Sequence, residues 1–111
     1  MIDRLINNYS RVCGKYYYSE GEELPEEIEK KEIYIGGTLE KNWVVLMMCP
    51  CGCGDKIYLN TLKDEWPCWR VRNGMKGISI LPSVARTKNC RSHFFVTNGR
   101  IVWSYNYRGR I

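Results

Sequence analysis

His93-Phe94-Phe95-Val96-Thr97-Asn98-Gly99-Arg100-Ile101-Val102-Trp103 decides the fold. Asn-Gly stands between two runs of aromatic and β-branched residues, and a type I′ turn needs positive φ at both of its central positions, which this pair tolerates. With Asn98-Gly99 as a two-residue turn, Thr97 opposes Arg100, Val96 opposes Ile101, Phe95 opposes Val102 and Phe94 opposes Trp103. Phe94, Val96, Ile101 and Trp103 then share one face, the expected core face, and the second strand runs on towards Tyr105.

Working outward, Asn73-Gly74 lies between Arg70 to Arg72 and Met75 to Leu81 and predicts another hairpin turning at that pair. Ile33 to Gly36 and Trp43 to Cys49 are β-rich runs joined through Gly36-Gly37. Before them, Ile2, Leu5, Ile6, Tyr9 and Val12 recur at helical spacing up to Gly14, which predicts a short amphipathic N-terminal helix. Tyr16, Tyr17 and Tyr18 read as a connection packed onto the domain, and Pro25 as the start of a helical turn over residues 26–31. The expected fold is therefore mainly β, a small α+β domain of antiparallel hairpins around one zinc site. The expected organisation is an N-terminal helical extension (1–21), a zinc-binding β domain (22–107) and a tail (108–111).

The chain has 111 residues, enough for one compact domain but not for two. Its longest apolar run, Trp43 to Cys49, is seven residues, far short of the roughly 20 that cross a bilayer. Asp3 and Arg4 interrupt the N-terminus, which argues against a secretory signal and for a cytoplasmic setting. Charge is uneven: Glu20, Glu22, Glu23, Glu26, Glu27, Glu29 and Glu32 form an acidic belt, whereas Lys and Arg dominate from Lys56 onward. A basic body can meet acidic proteins or the phosphates of a nucleic acid.

Six cysteines in a reducing compartment point to metal before disulfides. Cys49-Pro50-Cys51-Gly52-Cys53-Gly54 places three thiols within five residues, with glycines that let the backbone turn and leave amides for sulfur. Cys90-Arg91-Ser92-His93 adds a fourth cysteine and the single histidine. Four ligands from Cys49, Cys51, Cys53, Cys90 and His93 would make one tetrahedral Zn2+ site, and the thiols before glycine, Cys51 and Cys53, favour a Cys3His set with Cys90 and His93 and Cys49 in reserve. A Cys3His [2Fe-2S] cluster is the rival reading. Cys13 and Cys68 read as ordinary thiols, and Asp55 as a loop cap or a solvated side chain. With His93 given to the metal, no histidine remains for acid–base work, and no Ser-His-Asp order is visible; the balance leans to a non-enzyme. A spare Cys49 thiolate acting as a nucleophile is the catalytic alternative.

The string Cys-Pro-Cys-Gly-Cys-Gly, Trp66, Ile-Leu-Pro-Ser-Val (80–84), Cys-Arg-Ser-His-Phe-Phe (90–95) and Gly-Arg-Ile-Val-Trp (99–103) resembles a bacterial family of small domains of unknown function over roughly residues 24–104. Members of that family occur beside genes for ubiquitin-like proteins and their activating, conjugating and deconjugating enzymes. The resemblance implies a zinc-stabilised accessory or interaction protein of a ubiquitin-like conjugation pathway or antiviral defence system, with protein partners from that pathway. The chain departs from the family pattern at Met47 and Leu81, where relatives carry histidines.

Overall fold

The structure, a computed structural model, describes residues 2–87 and 90–104. Tyr105 and the tail expected over residues 108–111 lie outside the described residues. One helix, α1 (Ile2–Val12), precedes eight strands: β1 (Tyr17–Gly21), β2 (Glu32–Gly37), β3 (Asn42–Met48), β4 (Lys56–Asn60), β5 (Arg70–Gly74), β6 (Gly77–Ala85), β7 (His93–Thr97) and β8 (Arg100–Trp103). They form two four-stranded sheets in sequence order, β1-β2-β3-β4 and β5-β6-β7-β8. The protein is mainly β, as its sequence predicts.

The two sheets share one core. Strand alternation sends Ile33 and Ile35 of β2 and Val45 and Met47 of β3 inward, to meet Ile78, Ile80, Phe94 and Val96 from the second sheet. Met47, at one of the two departures from the family pattern, is fully buried there. On the other face of the first sheet, Tyr34 pairs with Leu46, and both are buried. The Tyr34 hydroxyl donates to Glu23 O at 2.6 Å and Lys56 Nζ donates to Glu26 O, so the acidic segment crosses this face. Burial on both faces explains why the run from Trp43 to Cys49 is continuously apolar instead of alternating.

The hairpin of β7 and β8 has the expected register, from Thr97↔Arg100 to Phe94↔Trp103, with Asn98 at φ 53° and Gly99 at φ 79°. Trp103 keeps 40% exposure while its ring meets Phe94 edge-on at 5.8 Å, so it lies at the margin of the core. The β5–β6 hairpin differs from expectation. It turns at Met75-Lys76, with Asn73 opposite Ile78 and Gly74 opposite Gly77. The neighbouring turn sets this register: Gly99 N–H donates to Ile78 O at 2.7 Å, and a Cβ on Gly77 (φ 129°) would stand 3.0 Å from the Asn98 backbone. The tertiary contact outweighs the local Asn-Gly preference.

Two further expectations are corrected. No helix forms over residues 26–31, where Glu29 N–H instead donates to the Glu32 carboxylate at 2.9 Å. Helix α1 forms, but it docks through polar groups: Asn7 exchanges two 2.8 Å hydrogen bonds with the Tyr18 backbone, Ser10 is buried, and Leu5, Tyr9 and Val12 face solvent. Residues 17–21, placed by the sequence reading in an N-terminal extension, pair in parallel with β2, and Tyr16 is part of the core.

Candidate functional site

Cys49 directly follows β3 and begins a tight loop. Cys49 N–H donates to Asp55 O at 2.8 Å and Gly52 N–H to Cys49 O at 3.2 Å, while Gly52 and Gly54 both take φ 91°, a region costly for any side chain. This turn directs the sulfurs of Cys49, Cys51 and Cys53 towards Cys90, which arrives just before β7. All four sulfurs lie within 4.8 Å of one another, and Cys49 Sγ is 3.5 Å from both Cys51 Sγ and Cys90 Sγ. A zinc–sulfur bond of about 2.3 Å in a tetrahedron requires sulfurs about 3.8 Å apart. The four cysteines can therefore hold a metal ion such as zinc.

The polar groups around the sulfurs suit thiolates. The Ser92 hydroxyl donates to Cys90 Sγ at 3.1 Å, and Arg86 Nη1 approaches Cys90 Sγ at 3.7 Å and Cys53 Sγ at 4.0 Å. The Asp55 carboxylate pairs with Arg86 Nη2 at 3.0 Å. That hydrogen bond is the main reason the guanidinium holds its proton more tightly than usual. Burial pushes the Cys49 thiol up to about 12. Burial also raises Cys90, but hydrogen bonds from Ser92 outweigh it and bring that thiol down to about 6. Cys49 is 4% exposed, so a solvent-facing Cys49 nucleophile is not what this structure presents. Cys13 and Cys68 stand apart from the group, their sulfurs near Ser10 O and Trp69 O.

His93 does not join the cysteines. It opens β7 opposite Ala85, and alternation puts it on the outer face with Phe95, whose ring stacks at 6.1 Å, while Phe94 points into the core. Its Nε2 lies 2.9 Å from Ser83 Oγ. The adjoining strand explains the meeting. Between the pairs Ile80↔Val96 and Val84↔Phe94, Leu81, Pro82 and Ser83 face the single residue Phe95, so β6 bulges. Bulges re-aim side chains, and here Ser83 shares the outer face with Ala85, diagonal to His93. Arg86 N–H donates to Ser92 O at 2.7 Å and closes the same strand ends onto the cysteine group.

A hydroxyl within hydrogen-bond reach of an imidazole is the arrangement of a nucleophile and its base. The closeness of Cys90 and His93 in the chain points the single histidine to the metal, whereas the structure sets it on Ser83. The missed signal was Pro82: proline inside a strand is confined to edges and bulges, and a bulge one residue before a serine is a place to look for chemistry.

Among the described residues no helix is long and apolar enough to cross a membrane. No curated protein matches the chain, and no solved structure does. A family model described as bacterial ubiquitination-like system serine protease (BubE) matches residues 20–104. The match takes in the four clustered cysteines, Ser83 and His93, and leaves α1 outside. Because it spans well over half of the 111 residues, the chain belongs to the BubE family of bacterial ubiquitination-like systems.

Proposed function

We propose that this chain is a serine hydrolase acting on a protein of a bacterial ubiquitination-like system, with Ser83 as nucleophile and His93 as general base. The observation that carries the proposal is the 2.9 Å separation of Ser83 Oγ and His93 Nε2 on the outer face of the second sheet. The family description, which names a serine protease, supports the same reading. With its proton on Nδ1, the His93 ring accepts the Ser83 hydroxyl hydrogen bond at Nε2. As Ser83 Oγ bonds to the substrate carbonyl carbon, its proton passes to Nε2; His93 then gives that proton to the departing amine as the C–N bond breaks. Water, activated by the same imidazole, releases the acyl group and restores the serine.

In this reading Cys49, Cys51, Cys53 and Cys90 hold one Zn2+ with a structural role. Four protein ligands close a tetrahedron and leave no open position for substrate. Four thiolates around Zn2+ carry two excess negative charges, which the Arg86 guanidinium partly offsets while Asp55 holds it in place. A Cys3His iron–sulfur cluster loses support because His93 lies on Ser83.

The test is hydrolysis of a p-nitrophenyl ester by the zinc-loaded chain. Ser83→Ala and His93→Ala are each expected to lower the rate by roughly 10³-fold or more, with zinc content unchanged. Hydrolysis that survives both substitutions would leave only the accessory, non-catalytic role for this family member.

A further inference from the structure

We infer that the groove walled by Trp43, Leu62 and Trp69 binds an acidic segment of the polypeptide substrate, an extension of the serine-hydrolase reading, on which it rests. The groove, about 610 Å³, opens where β3, β4 and β5 meet and connects the two sheets. Its apolar wall is made by Trp43, Leu62 and Trp69. Trp43 and Leu62 remain 37% and 44% exposed, a large unpaired apolar surface for so small a domain. Gly36 lies beneath Trp43; a Cβ there would come within 3.1 Å of the indole, so glycine lets the ring lie flat on the sheet.

Trp69 ties the groove to the reacting pair. Its Nε1 donates to Ser83 O at 3.1 Å, so one face of the groove is built on the backbone of the proposed nucleophile. Strand β5 begins only at Arg70, opposite Leu81, which leaves the residues around Ser83 without a β5 partner on that side.

The rim supplies the specificity. Lys41, Lys63 and Arg70 surround the apolar wall, against the single carboxylate of Glu40. Among the described residues, the three cationic heads form no ion pair. Three cations around an aromatic wall select carboxylates next to a bulky apolar side chain.

The probe is a fluorescein-labelled peptide, Glu-Asp-Phe-Glu-Glu, compared with its counterpart carrying Lys at the acidic positions. Binding is read by anisotropy on the full Ser83→Ala chain, which cannot turn over. The acidic peptide is expected to bind at least ten-fold tighter, with affinity falling as salt rises. Lys63→Glu combined with Arg70→Glu is expected to abolish that preference, and if this variant fails to fold, the acidic peptide must instead quench tryptophan emission of the Ser83→Ala chain while its lysine counterpart does not. Equal affinities, no binding of either peptide, or no such selective quenching would overturn the proposal. Failure of the reacting pair is read separately: ester hydrolysis that persists in Ser83→Ala refutes the dyad whatever the peptides do.

Discussion

Cys90 and His93 are three residues apart, yet their side chains take different partners. Ser92 Oγ holds Cys90 Sγ at 3.1 Å in the sulfur group, while His93 faces away to Ser83. The division predicts a separation of effects. Cys90→Ser is expected to remove bound zinc and destabilise the fold, measured by atomic absorption and thermal melting. His93→Ala is expected to keep one equivalent of zinc and the melting temperature while losing hydrolysis; loss of zinc from that variant would return His93 to the metal. At Arg86, replacement by Leu removes the guanidinium that approaches Cys90 Sγ at 3.7 Å and Cys53 Sγ at 4.0 Å. Zinc is then expected to leave at lower chelator concentration, with little change in the far-UV spectrum.

Strands β6 and β7 carry the site, and they show how much was legible beforehand. The β7–β8 register could be read from Asn98-Gly99 because the turn chemistry and the alternation of Phe94, Val96 and Ile101 agree. At Asn73-Gly74 the same dipeptide misled, since the docking of Gly99 on Ile78 moved the turn to Met75-Lys76. The cysteine group was legible as a set of candidates, because glycine-flanked thiols need a common purpose. The placement of His93 against Ser83 was not, because it depends on which face of β7 the residue takes, and that parity is set by Phe94 entering the core. Phe94 is fully buried between the sheets, so Phe94→Ala is expected to cost about 3–5 kcal/mol. That is comparable with the whole stability of a small domain, about 5–15 kcal/mol, and urea denaturation measures it.

For the whole molecule, a core shared by two four-stranded sheets is clamped at one end by the sulfur group, which joins the β3–β4 loop of the first sheet to the β6–β7 connection of the second. Free zinc at about 1,000 times its dissociation constant would add about 4 kcal/mol, on the order of 15 °C or more in melting temperature for a domain of this size. Chelation is therefore expected to lower the melting temperature by that order and to silence hydrolysis, because the same strand ends hold Ser83 and His93. The most direct measurement is labelling with a fluorophosphonate, which forms a covalent bond to an activated serine oxygen, followed by peptide mass spectrometry. One adduct, on Ser83, formed by the zinc-loaded chain and absent from His93→Ala, is the predicted result. An unlabelled chain, an adduct on another residue, or equal labelling of His93→Ala would contradict the assignment of Ser83 and His93 as the reacting pair.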